Sequence, residues 1–246
     1  MTPSLSVISS RESASAQLIC FPYAGASASV YNQLGKRMSS RVAVASIELP
    51  GHGFRLAEEP HQTMPALLEA LSAAILPAIE MPTVLYGHSM GAILALEIAQ
   101  AAKPLGLPIA GLVVSGCAAP HLPVRRPKKL ACLPTDELIA ELGNLGGVPE
   151  NLLSNRQLMD MFMPSIRADM NCRENWQSVV EALNLPIHVL YGKADRLVAE
   201  ADLAEWRRYT TLPISMMAIP GGHFFIHSEI DTVCEHLDSL VSSLTR

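Results

Sequence analysis

Six short stretches of nearly unbroken apolar character punctuate the chain: QLICF (17–21), VAVASIEL (42–49), TVLYG (83–87), IAGLVVSG (109–116), PIHVLYG (186–192) and PISMMAI (213–219). A strand with one wet face alternates apolar and polar residues, whereas a strand covered on both faces reads as a continuous apolar run, the pattern of a parallel sheet. Between the runs lie stretches of helical length and period at 27–38, 64–79, 90–103, 200–209 and 228–244. This alternation predicts one doubly wound, mainly parallel α/β domain spanning 1–246.

The rhythm breaks once. From about 120 to 185 no convincing strand occurs, and three helix-like pieces, TDELIAELGNL, NRQLMDMFMPSIRADM and RENWQSVVEAL, are joined by Pro and Gly. A segment this long exceeds what a connection between neighbouring strands needs. It reads as a helical lid inserted over the carboxyl edge of the sheet, where open α/β folds bind their ligands.

Composition narrows the class. With 49% hydrophobic residues, 17% charged residues and a net charge of −5, the chain is globular and gives no sign of a nucleic-acid partner. The longest apolar stretch, 66–79, is broken by Glu69 and Pro77, too short to span a bilayer, so no membrane role is expected. The amino-terminal residues lack the basic start and apolar core of a secretory signal, which makes the cytoplasm the expected location. Five scattered cysteines show no ligand spacing and read as buried small hydrophobes.

The chemistry concentrates around LYGHSMGAI, 85–93, where Ser89 stands between Gly87 and Gly91, after one apolar run and before another. In an α/β hydrolase such a G-x-S-x-G stretch is a strand-to-helix turn that lifts the serine oxygen above the sheet edge. Serine is a weak nucleophile near neutral pH and needs a base, itself oriented by an acid. These partners follow in the order acid, then histidine. Asp195, in VLYGKADRLV, and His223, in AIPGGHFFI, lie past the ends of the last two strands, at the same edge as Ser89. Gly221 and Gly222 suggest a flexible loop around the histidine. Two N–H donors are needed for the oxyanion, one from Met90 and one from the small-residue loop CFPYAGASAS after the first core strand.

The other histidines read as structural. His88 packs beneath the turn, His188 is a core strand residue, His227 and His236 belong to the last helix or its approach, and His61 and His121 sit on the surface. His52, in ELPGHGFR, is the one rival base, and no strand-end acid is matched to it. Asp202 and Asp231 fall within predicted helices, which weakens them as orienting acids.

Taken together, CFPYAGASASVY, ELPGHGFR, LYGHSMGA, LGGVPENLL, PSIRADM, YGKADRLV and GGHFF resemble the type II, or external, thioesterases of nonribosomal peptide and polyketide synthases, over residues 18–228. The resemblance implies an α/β-hydrolase that frees acyl or aminoacyl groups from the phosphopantetheine arm of carrier proteins. It implies Ser89 as nucleophile, Asp195 as acid, His223 as base, Met90 and Ala24 as oxyanion donors, and no cofactor or metal. Two departures stand out: Gly25-Ala26 replaces the usual glycine pair, and His52 the usual arginine of the turn after the second core strand. A medium-chain acyl-carrier hydrolase shares the same core motifs, and a non-catalytic binding protein on this fold is a further alternative. The expected partners are acyl or peptidyl carrier domains, with the thioesterase itself a monomer. The Met-rich stretch LMDMFMPSI reads either as adaptable acyl-binding surface or as lid packing. The basic run VRRPKKL, 124–130, reads as a solvated loop or as a docking patch for a phosphate or an acidic carrier. Arg55 and Arg167 are candidate cleft contacts without an assigned role.

Overall fold

The computed structural model describes residues 5–8, 13–124 and 129–245. The chain runs β1 (Leu5–Val7), β2 (Ala16–Phe21), α1 (Asn32–Arg37), β3 (Val42–Ile47), α2 (Met64–Ile75), β4 (Thr83–His88), α3 (Met90–Ala102) and β5 (Ile109–Ser115). It continues through α4 (Thr135–Leu145), α5 (Glu150–Leu153), α6 (Arg156–Glu174), β6 (Ile187–Gly192), α7 (Glu200–Ala204), β7 (Ser215–Ile219), α8 (Phe225–Ser228) and α9 (Ile230–Leu244). The strands form one seven-stranded sheet in the order β1-β3-β2-β4-β5-β6-β7. All neighbours are parallel except β1, which pairs antiparallel with β3.

The six apolar runs are all strands, each within two residues of the expected bounds. β2, β3 and β4 are buried along their whole length, as their lack of alternation requires. One face carries α2 and α3 over Ile19, Leu85, Leu112 and Val189. The other carries α1 and α9 over Leu18, Val44, Val84 and Val113. Strand β1, absent from the sequence reading, is a three-residue edge strand.

Residues 116–186 form the insertion between β5 and β6. Its helices α4 and α6 share a small core of their own, centred on Leu138, Leu142, Met159 and Met163. The first two expected helices are present, and Pro164 lies inside α6. The third, RENWQSVVEAL, is not helical beyond Glu174. Trp176 Nε1 donates to Glu97 on α3 at 2.9 Å, the Ser178 hydroxyl donates to the same carboxylate, and Leu183 makes a single bridge to Thr210. These anchors hold the segment extended against the body of the molecule. Among the described residues, no helix is long and apolar enough to cross a membrane.

Candidate active site

The order of strands fixes where a site can form. From β2 the chain crosses to β3 on one side, while β4 lies on the other, so the carboxyl ends of β2 and β4 border a switch point of the sheet. The loop after β2 carries Ala24, and the turn after β4 carries Ser89.

Two glycines make the serine turn possible. A Cβ on Gly87 would stand 2.0 Å from Gly91 O, and one on Gly91 would stand 2.0 Å from Phe21 O, so α3 starts against the end of β2 with no room for a side chain. Ser89 itself has φ 53° and ψ −117°, and it is the one non-glycine residue with positive φ among those described. Such a conformation costs energy and is held by its surroundings: Ser89 N–H donates to Ser115 O at 2.8 Å. Because Met90 opens α3, its N–H has no intrahelical acceptor. In the turn after β2, Ala26 N–H donates to Tyr23 O and Gly25 N–H to Asp169 Oδ2, whereas the Ala24 N–H donates to no described residue.

Asp195 and His223 meet as the sequence reading expects. His223 Nδ1 lies 2.8 Å from Asp195 Oδ2, with the side chains only 7% and 1% exposed, so the pair is shielded from water. Asp195 Oδ1 accepts from Leu197 N–H at 2.8 Å. An ionised carboxylate can only accept, which places the imidazole proton on Nδ1 and leaves Nε2 with a lone pair able to take another. Ser89, His223, Met90 and Ala24 line one cavity of ≈ 580 Å³. No hydrogen bond within 3.5 Å joins Ser89 Oγ to His223. Nucleophile-to-base contacts of this kind tighten when substrate is bound. In the loop around His223, Gly221 supplies a φ of +100°, and the close backbone approach falls at Gly192 on β6, whose Cβ would stand 2.2 Å from Gly222 O.

His88 is fully buried, as expected, with Nδ1 2.9 Å from Ser115 Oγ. Burial, with His223 and His227 nearby, pushes its imidazole well below the ordinary range and keeps it neutral under the site. His188 is on β6 but only partly buried, with Nδ1 2.5 Å from Ser215 Oγ. His121 is less exposed than a surface loop implies, since its Nε2 lies 3.6 Å from Glu205. His52 does have an acid, Asp169 on α6, 3.0 Å from Nε2, and the two are buried together. This pair escaped the sequence reading because its members are 117 positions apart on different elements.

Neither arginine singled out earlier lines the cavity. Arg55 bonds Glu58 and Glu48 O, and Arg167 ties α6 to Ala131 O and Thr135. Met159 and Met163 pack inside the insertion and Met161 faces solvent, so the Met-rich stretch is packing; the α6 methionine at the cavity wall is Met170. Arg173 and Glu174 also line the cavity. The Glu174 carboxylate is held by the N–H groups of Leu130 and Ala131, whereas Arg173 Nη1 is buried without a hydrogen-bond partner among the described residues. Most of the basic run, 125–128, lies outside the described residues.

Comparison with known proteins agrees with this geometry. The thioesterase domain family model matches residues 16–241. The gramicidin S biosynthesis protein GrsT of Aneurinibacillus migulanus is 33% identical over 227 residues, covering 90% of this chain and 88% of its own length. The solved structure of BorB, a type II thioesterase from the borrelidin biosynthetic cluster, superposes with a TM-score of 0.88 at 30% identity, covering 99% of this chain and 98% of its own. YbtT, a type II thioesterase from the yersiniabactin nonribosomal peptide and polyketide pathway, superposes at 0.87 with 27% identity, over 99% of this chain and all of its own. With its sheet order, its serine turn and its insertion accounted for, the chain belongs to the thioesterase family and, within it, to the type II thioesterases of nonribosomal peptide and polyketide synthase clusters.

Proposed function

We propose that this protein hydrolyses acyl and aminoacyl groups from the phosphopantetheine arm of carrier proteins, with Ser89 as nucleophile, His223 as base and Asp195 as its orienting acid. The observation that carries the reading is that Ser89, the hydrogen-bonded His223–Asp195 pair, Met90 and Ala24 all line one cavity. The whole chain, 1–246, acts as a single α/β-hydrolase domain, and the insertion serves as its lid. A cytoplasmic location and a monomeric state belong to the same proposal, and light scattering in solution tests the second.

His223 Nε2 takes the Ser89 proton as Oγ attacks the thioester carbonyl. The carbonyl electrons move onto oxygen, where Met90 and Ala24 N–H donate to the negative charge; donors of this kind are often the largest catalytic contribution. Collapse breaks the C–S bond. A thiol of pKa about 8.5 leaves far more readily than an alcohol, and the proton held on His223 Nε2 passes to the departing sulfur, so the arm leaves as a thiol and the imidazole is again free to act as base. Water then attacks the acyl-serine, gives its proton to His223, and the acid is released as Ser89 regains its hydrogen.

The test is hydrolysis of acyl-loaded carrier proteins beside the matching free acyl-pantetheine thioesters, for wild type and Ser89→Ala. Broad clearance with preference for the carrier-bound form, abolished in the variant, supports the proposal. Turnover unchanged in Ser89→Ala overturns it, and a strict preference for medium-chain fatty acyl groups transfers the protein to fatty-acid synthesis.

A further inference from the structure

His52 follows β3 in the turn Leu49–Pro50–Gly51, and Asp169 stands in the middle of α6; each is 4% exposed. The imidazole is held at both nitrogens. Nδ1 is 3.0 Å from Pro50 O and Nε2 is 3.0 Å from Asp169 Oδ2. A carbonyl oxygen can only accept, so Nδ1 carries a proton. The Nε2 contact is an ion-pair approach without hydrogen-bond geometry, and a bare nitrogen lone pair set against a carboxylate oxygen at that distance would be repelled, so the contact favours a second proton there and an imidazolium ring.

Asp169 does a second task. The same Oδ2 accepts from Gly25 N–H at 2.8 Å, in the turn that also carries Ala24. Two further contacts press α6 onto these loops: Ser165 Oγ donates to Gly51 O at 2.5 Å, and Ile166 packs so close to Gly25 that a Cβ there would meet it at 2.9 Å. Gly25 has φ +79°, so its peptide orientation is unusual and needs such fixing. The result is a continuous link, His52 to Asp169 to Gly25 N–H to the Ala24 peptide, between the insertion and the cavity wall.

We propose that His52 and Asp169 are positioning residues: a buried charged pair that clamps α6 to the turn after β2, aims the Ala24 N–H into the cavity, and slackens when His52 loses its proton. The claim about Ala24 rests on its proposed role as an oxyanion donor. The charged groups facing His52 are Asp169 from α6 and Glu48 from the end of β3, with Arg55 on the following turn bonded to Glu48 O. Burial lowers the His52 pKa, but Asp169 first, then the Pro50 carbonyl and Glu48, together outweigh it, and the net displacement is upward. The clamp therefore opens as pH rises through a folded pKa displaced upward from the ordinary histidine value.

The experiment is kcat and KM against pH on an acyl-pantetheine thioester for wild type, His52→Arg, His52→Gln, Asp169→Asn and Ser89→Ala. It is paired with an NMR titration of the His52 ring and hydrogen exchange at the Gly25 amide. Wild type should lose kcat as pH rises, with a midpoint matching that of the ring, as Gly25 protection falls. His52→Arg, a cation at every pH, should remove that limb. His52→Gln and Asp169→Asn should lower kcat by about 10- to 100-fold at all pH values with KM nearly unchanged, since a misplacement near 1 Å can cost about 100-fold. Thermal melts of each variant separate this from unfolding. The proposal is overturned if the ring titrates at or below the ordinary value of about 6.5, if His52→Arg keeps the high-pH limb, or if Asp169→Asn and His52→Gln turn over at wild-type kcat. Activity retained in Ser89→Ala would instead remove the reading of the site, while the ring titration and Gly25 exchange still decide the clamp.

Discussion

Replacing Gly91 by alanine probes how tightly the serine turn is built. A Cβ at this position would stand 2.0 Å from Phe21 O, 2.6 Å from Phe21 C and 2.7 Å from Pro22 O. Ordinary contact begins near 3.4 Å, so the shortfall is about 1.4 Å, and it is against backbone. No side chain can swing aside, and β2 is fixed by β3 and β4 on either flank. The start of α3 must move, although Met90 and the residues from Ala92 to Leu96 are buried without gaps around it. A radial gap of 0.5–1 Å forfeits roughly a quarter to a half of each dispersion contact. Overpacking costs about 1–3 kcal/mol where neighbours can adjust, and this site belongs at or above the upper end. At about 2–4 °C per kcal/mol, the melting temperature should fall by about 6–12 °C. Ser89 and the Met90 N–H move with the helix end, so turnover should drop by about 100-fold in the protein that remains folded. Gly106→Ala is the control: its Cβ would meet nothing within 4 Å, and only the φ of +63° resists it, at a cost of about 1–2 kcal/mol without loss of activity. Thermal melts and thioester hydrolysis measured together decide the matter. A Gly91→Ala protein that melts within 2–3 °C of wild type, on the same scale of about 2–4 °C per kcal/mol, and turns over normally would refute the reasoning.

Three other expectations follow from local physics. Ser89→Gly should melt above Ser89→Ala by about 1 kcal/mol, because glycine relieves the strained backbone at φ 53°, worth about 1–3 kcal/mol, less its own entropic penalty; equal melting would mean that the turn is unstrained. The raised His52 pKa adds stability that is fully present below the unfolded value of about 6.5 and is lost as pH rises through the folded value. Denaturant titrations should therefore show wild type losing its advantage over His52→Gln as pH rises from about 6.5 through the folded value, and a constant difference would contradict the charge assignment. Alkylation of the native protein should label Cys132, the exposed thiol, before the other four, as read by mass spectrometry. Burial raises Cys172 to about 12 and Cys234 to about 11, and it raises Cys20 and Cys117 as well, so early labelling of any of these would show the core to be open.

The sequence by itself determined the strands, the alternation and the position of Ser89. Each of these is written in a local window: continuous apolar runs mark strands covered on two faces, and Gly87, Ser89 and Gly91 lie within five residues. Asp195 and His223 were legible because strand ends in a parallel sheet all point to one edge, so a residue just past a strand is already roughly placed. The tertiary structure decided what depends on partners distant in the chain. RENWQSVVEAL has a helical pattern, yet Glu97 captures Trp176 and Ser178 and draws the segment out straight. Edge strand β1 exists because β3 offers a free side for pairing, which three residues cannot announce. The Met-rich stretch has the same composition whether it faces an acyl chain or the interior of the insertion, and only the rotation of α6 settles which. His52 shows the limit most clearly. Its ring sits between Pro50 O and Asp169, a carboxylate 117 residues away, and no local pattern encodes an ion-pair contact over that separation.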